Sequence, residues 1–260
     1  MAKLNRGGVA LAYDEAGAGD PLMLFVHGWC CDRSHFAPQM AHFSPRHRCV
    51  AVDLRGHGDS DKPESAYTFD VFADDLAWLC GELKLTKPVV VGHSMGGAIA
   101  LALAARHPQL ASAIVMLDAP VIFPPAAASD VGPFLEALRT PACHDVLREF
   151  FSQRLFIPTD DATRKARILD GAARMRQHVI VACFEAILGF DSDASARACR
   201  VPALYVVADP PLAELLRFRE ACPQLMTAQT AGSGHFHQLE VPDQINAMIE
   251  RFLALSLAPA

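Results

Sequence analysis

Ser94 sits in Gly92-His93-Ser94-Met95-Gly96, after the apolar β-branched run Val89-Val90-Val91 and before an alanine-rich stretch from Gly97 to Ala105. Strand, sharp turn and helix in that order hold a serine hydroxyl where the first amides of a helix point outward. The flanking glycines leave room where a Cβ would clash. Gly-x-Ser-x-Gly recurs by chance in many turns, so the strand before it and the helix after it carry the signal. A serine hydroxyl is a poor nucleophile near neutral pH and needs a base, with a third group to orient that base. The base candidate is His235 in Gly232-Ser233-Gly234-His235-Phe236, a glycine-rich loop just ahead of the last helical pattern. His93 adjoins the serine, so its ring is expected to point elsewhere at such a turn. His237 forms a His-x-His pair with His235, but no further ligand set of suitable spacing accompanies it, and no metal is expected.

These residues need a scaffold. Val9–Tyr13, Leu22–Val26, Cys49–Val52, Val89–Val91, Ile114–Leu117 and Leu204–Val207 read as strands. Several are continuously apolar rather than alternating, which suits strands covered on both faces in a parallel sheet. Phe69–Leu83 and Gln244–Leu255 read as amphipathic helices, the second with Ile245, Met248, Ile249 and Phe252 as its stripe. Strands alternating with helices predict an α/β fold with a mostly parallel central sheet flanked by helices. From Pro120 to Ala198 the rhythm breaks. Pro120, Pro124, Pro125 and a run of alanines open an interval that is helical in pattern and longer than a simple crossover. The expected organisation is a core domain of residues 1–119 and 199–260 with a helical lid over 120–198.

The chain has 260 residues, 52% of them hydrophobic, enough for one large domain with an insertion. Net charge is −6 and no Lys/Arg run stands out, so nucleic acid is not an expected partner. No apolar run approaches the roughly 18 residues of a membrane span, and the N-terminus lacks the apolar segment of a signal peptide. The eight cysteines include no Cys-x-x-Cys, and reduced thiols in a cytoplasm fit them best.

His27-Gly28-Trp29, Asp53-Leu54-Arg55-Gly56-His57-Gly58-Asp59-Ser60-Asp61, Gly92-His93-Ser94-Met95-Gly96-Gly97 and Gly232-Ser233-Gly234-His235 with Glu240-Val241-Pro242 occur in that order over nearly the whole chain outside the lid. In these motifs the sequence resembles the α/β-hydrolase superfamily, in its lid-bearing serine esterase and lipase-like branch. The resemblance implies an α/β-hydrolase fold, Ser94 as nucleophile, His235 as base, and the backbone N–H groups of Trp29 and Met95 as oxyanion donors. No cofactor is implied. Asp53 and Arg55 are read as structural, in a strand-end loop that folds through hydrogen bonds and an ion pair.

The third catalytic member has two candidates. Relatives usually carry the acid as Gly-x-x-Asp after the next-to-last strand, but here Val207-Ala208-Asp209-Pro210-Pro211 places Pro211 at that position. Asp118 follows the strand after the nucleophile helix, where some relatives carry their acid, and is preferred on spacing. Asp209 is the alternative if the loop is shortened. His27, Gly28, His93, Phe150 and Phe184 are expected to line the substrate pocket. The expected activity is hydrolysis of a small apolar carboxylic ester, or a related acyl derivative, through an acyl-enzyme. A cofactor-free oxygenase acting on a hydroxy-heteroaromatic, a lactonase and a carbon–carbon bond hydrolase stay open. So does a ligand receptor built on a slow hydrolase, and so does the oligomeric state.

Overall fold

Four apolar runs, Met23–Val26, Cys49–Val52, Val89–His93 and Ala113–Leu117, are buried at every residue, because each lies inside a sheet covered on both faces. The computed structural model describes residues 1–122, 131–209 and 213–257. The strands are β1 (Ala2–Arg6), β2 (Val9–Ala16), β3 (Met23–Val26), β4 (Cys49–Val52), β5 (Val89–His93), β6 (Ala113–Leu117), β7 (Ala203–Val207) and β8 (Leu225–Gln229). They form one sheet in the order β1-β2-β4-β3-β5-β6-β7-β8. β2 is antiparallel to both neighbours, and every pair from β4 through β8 is parallel.

Strands β1 and β8 are absent from the sequence reading. Both lie at sheet edges, where all their residues but Leu225 are exposed or half-buried, and neither carries a continuous apolar run. The apolar-run criterion detects strands enclosed by neighbours and is blind to edges.

Helices α1 (Ala37–Phe43), α2 (Phe69–Glu82) and α3 (Met95–Arg106) follow in the first half of the chain. Thr68 caps α2, its hydroxyl accepting from the Val71 amide. Residues Met95 to Ala104 of α3 are all buried, as α3 lies on β5 and β6 and is itself covered by α2. Between β6 and β7 come α4 (Val131–Leu138), α5 (Cys143–Arg154), α6 (Ala162–Ala172), α7 (Gln177–Gly189) and α8 (Ser192–Ala198). This is the inserted helical region. Its opening, with Pro124, Pro125 and the alanines, falls outside the described residues, as do Pro210 and Pro211. Helices α4 to α7 pack on one another, whereas α8 packs on α3 and on α9 (Leu215–Ala221). By its contacts α8 lies against the core layer, unlike α4 to α7. The chain closes with the single turn α10 (His237–Glu240) and with α11 (Pro242–Ser256). Phe25, Phe36, Phe43, Ile245, Ile249 and Phe252 fill the sheet face beneath α1 and α11.

Register sets up the site. Val26 pairs with Gly92, His93 with Leu117, and Leu117 with Val206. The residues that follow β3, β5 and β6 therefore emerge side by side at the carboxyl edge, where open α/β sheets build their sites.

Candidate active site

Ser94 is the pivot between β5 and α3, at φ 53 and ψ −124, a conformation that side-chain-bearing residues rarely adopt. Its amide donates to Leu117 O at 2.8 Å, which ties the turn to the neighbouring strand. A Cβ on Gly92 would stand 2.1 Å from Gly96 O, and one on Gly96 would stand 2.2 Å from Val26 O. The motif needs glycine at both positions for this close approach. Met95 opens α3, so its N–H has no partner within the helix. Across from it, Cys31 N–H donates to Gly28 O at 3.2 Å, closing a turn with Cys30 at φ 57. The amides of Trp29 and Met95 make no hydrogen bond among the described residues.

Asp118 follows β6 at φ 43, its amide bonded to Val206 O at 2.9 Å. Its carboxylate is buried, and Oδ2 accepts from His235 Nδ1 at 2.7 Å. That contact leaves Nε2 as the free ring nitrogen, the atom a base presents to a hydroxyl. Oδ1 of Asp118 has no partner among the described residues. Asp209 is exposed, and only its amide reaches this loop, at Ser233 O (3.3 Å).

The ring of His93 lies against that of His235, with centroids 4.6 Å apart, and its Nε2 donates to His235 O at 2.9 Å. Burial holds His93 well below the ordinary imidazole range, so it is neutral. His27 is likewise enclosed. Its Nδ1 bonds Gly28 O at 2.8 Å, its Nε2 accepts from the Leu54 amide at 3.0 Å, and burial pulls it down to about 4. His27 thus braces the Gly28 turn through both ring nitrogens. His93 braces the His235 carbonyl through Nε2, while its Nδ1 faces Gly28 and has no partner among the described residues. Their service as scaffold follows from full burial, which neutral, hydrogen-bonded imidazoles tolerate.

The rings of Phe150 and Phe184 have centroids 6.4 and 5.2 Å from that of Trp29. Phe151 joins them at 5.7 Å, and the rings of Phe134 and Phe150 meet at a tilt with centroids 4.5 Å apart. The Trp29 indole N–H donates to Ile180 O at 3.1 Å, so it offers no free donor to a ligand. Asp53 is structural. Its carboxylate accepts from the Arg33 amide at 2.7 Å and the Asp59 amide at 2.8 Å, and it pairs with the Arg33 guanidinium. Arg55 makes a two-point ion pair with buried Asp75, at 2.5 and 2.8 Å. His237 bonds Thr230 Oγ1 at 3.2 Å, and burial lowers it to about 4. Among the described residues no group of three or more His, Cys, Asp or Glu side chains could hold a metal ion, and no helix is long and apolar enough to cross a membrane. All eight cysteines are buried and unbonded.

The chain matches the family described as alpha/beta hydrolase fold over residues 21–242. A 2-(acetamidomethylene)succinate hydrolase of Mesorhizobium japonicum is 40% identical over 116 residues, which are 45% of this chain and 41% of that protein. The matched segment thus spans less than half the length of that relative. Among solved structures, an enol-lactonase of Burkholderia xenovorans superposes with a TM-score of 0.87 at 23% identity, over 97% of this chain and 100% of that one. An esterase of Thermogutta terrifontis superposes at 0.85 and 23% identity, over 98% and 99%. At such identity the likeness is one of fold.

Proposed function

The chain belongs to the alpha/beta hydrolase family, and on that premise we propose that it is a serine hydrolase cleaving a carboxylic ester or a close acyl relative such as a lactone. The observation that carries this reading is the 2.7 Å contact between Asp118 and His235, beside a serine held at positive φ. Ser94 Oγ attacks the carbonyl carbon while His235 Nε2 takes its proton. Asp118 holds the Nδ1 proton and stabilises the imidazolium. The carbonyl oxygen becomes an oxyanion that the Trp29 and Met95 amides stabilise. One such donor is commonly worth about 3 kcal/mol of barrier. Collapse of the tetrahedral intermediate expels the alcohol, which takes the proton from His235. Water, deprotonated by the same imidazole, then attacks the acyl-enzyme and releases the acid and Ser94.

Epoxide hydrolases, represented among the relatives by one from Caenorhabditis elegans (34% identical over 115 residues), use a carboxylate nucleophile. Serine at position 94 favours acyl transfer instead. The acyl group we assign is neutral and apolar. The side chains against Trp29 are Phe150, Phe151 and Phe184, with Phe134 against Phe150 and Phe184, and the indole N–H beside them is already bonded. A carboxylate there would lose its hydration without gaining a partner.

The test is a panel of esters and lactones graded by acyl length, run beside Ser94→Ala and with fluorophosphonate labelling. The expected result is one label, on Ser94, and loss of turnover in the variant. Ester turnover above about a tenth of wild type in Ser94→Ala excludes the covalent mechanism, since triad losses cost several orders of magnitude.

A further inference from the structure

One turn of the lid grips the loop that carries His235. Between α5 and α6, residues 155–161 face Gly232–His235 through three hydrogen bonds. The His235 amide donates to Leu155 O at 3.1 Å, the Gly234 amide to Asp160 Oδ1 at 3.0 Å, and the Thr159 hydroxyl to Gly232 O at 3.2 Å. Farther along, Glu240 accepts from the Asp161 amide at 3.1 Å and pairs with Arg164 at 2.5 Å.

Asp160 joins the two segments. Its Oδ2 accepts from the Ile157 amide at 2.9 Å, closing its own turn, while Oδ1 reaches across to Gly234. Among the described residues no cationic side chain pairs with it, so backbone N–H groups alone face its charge. Hydrogen bonds to an ionised acceptor are roughly twice as strong as neutral ones. Gly234 is fitted to this contact, since a Cβ there would stand 2.6 Å from Asp160 Oδ2 and 3.1 Å from Leu155 O. The backbone of His235 is therefore held at both ends, its N–H by the lid and its C=O by His93.

We infer that Asp160 is a positioning residue for His235, an inference that rests on His235 acting as the base. Asp118 orients the ring, and Asp160 places the backbone from which the ring projects. A displacement near 1 Å at a reacting group can cost about 10²-fold in rate, so a loop held by few contacts is a sensitive point. The lid thereby enters the chemistry, beyond the control of substrate size.

The experiment compares Asp160→Ala and Asp160→Asn in the whole chain. Asparagine keeps one acceptor oxygen for the Gly234 amide. In Asp160→Ala, kcat for a short-chain ester and the rate of fluorophosphonate labelling at Ser94 are expected to fall about 10- to 100-fold. KM should stay within about twofold and Tm within about 4 °C. Asp160→Asn should recover part of the loss. Amide hydrogen exchange at Gly234 and His235 should accelerate in Asp160→Ala while β5 and α3 keep their protection. Wild-type kcat and labelling in Asp160→Ala overturn the inference, as does a loss confined to KM or one matched by a fall in Tm. If Ser94→Ala itself retains turnover, the serine mechanism has failed. The exchange rates at Gly234 and His235 then decide separately whether Asp160 holds the loop, and unchanged protection there overturns the assignment.

Discussion

Asp118 Oδ2 lies 2.7 Å from His235 Nδ1 although 117 residues separate the two in the chain. The contact forms because β6 ends beside β7, and the loop after β8 folds back over that edge. If Asp118 orients the imidazole, Asp118→Asn is expected to lower kcat by about 10²–10⁴-fold, since the ring loses its preferred tautomer and the stabilisation of its charged form. Asp209→Asn should leave kcat within about twofold, as an exposed turn carboxylate exchanges for its amide at little cost. Both are measured in one ester assay with circular dichroism as the fold control. The reverse pattern would move the acid to Asp209.

The aromatic cluster over Trp29 should set acyl-length preference. Phe184→Ala and Phe150→Ala each vacate space against the indole, at 5.2 and 6.4 Å. One methylene in an apolar pocket is worth about 1–3 kcal/mol of discrimination, so kcat/KM should shift toward longer acyl chains by about tenfold or more. An unchanged profile across the ester panel in both variants would mean that these rings serve only to pack the lid.

Four enclosed imidazoles make stability depend on pH. Burial lowers His27 to about 4, His57 to about 3 and His237 to about 4, and holds His93 well below the ordinary range. In the unfolded chain each titrates near 6.5. Below that pH the unfolded chain binds protons that the folded one does not, so the contribution is complete above about pH 6.5 and is lost as pH falls toward the folded values. For His57 alone the loss between pH 6.5 and 5 is about 2 kcal/mol. Urea unfolding of wild type and His57→Gln at pH 7 and pH 5 measures it. The variant should lose less stability on acidification, and equal losses would remove His57 from the account.

Gly28 carries the turn that faces the nucleophile. A Cβ there would stand 3.0 Å from Ser94 Cβ and 3.1 Å from His93 Nδ1. Gly28→Ala must therefore displace Ser94 or the turn by a few tenths of an ångström. The expected outcome is a kcat reduced about tenfold or more with Tm lowered only slightly. Fluorophosphonate labelling rates, compared with thermal melts, separate the two effects. Wild-type labelling would show that the site absorbs the methyl group without moving its serine.

Much of the scaffold is legible along the chain. Continuous apolar runs identify the enclosed strands because parallel strands buried on both faces tolerate few polar side chains. Gly92 and Gly96 mark the turn at Ser94 because any Cβ at either position would overlap backbone oxygens. These are local constraints, written in residue type and spacing within a few positions. The edge strands β1 and β8 escape the same reasoning because half their residues face water and no apolar pattern is required of them.

What spacing could not separate was Asp118 from Asp209. Each follows a strand at the carboxyl edge, and which one meets His235 depends on sheet order and on the path of the loop after β8. The partners of His27 and His93 were likewise set by tertiary packing, which brought them to the Leu54 amide and to the His235 carbonyl. Asp160 carried no signal at all, since an aspartate ahead of a helix reads as a cap, and it is Asp161 that caps α6. Residue type and near-neighbour spacing set which groups can do chemistry and which backbone turns can hold them. Which of those groups meet is decided by contacts between segments tens to more than a hundred residues apart, through strand order and register, and no local pattern encodes those.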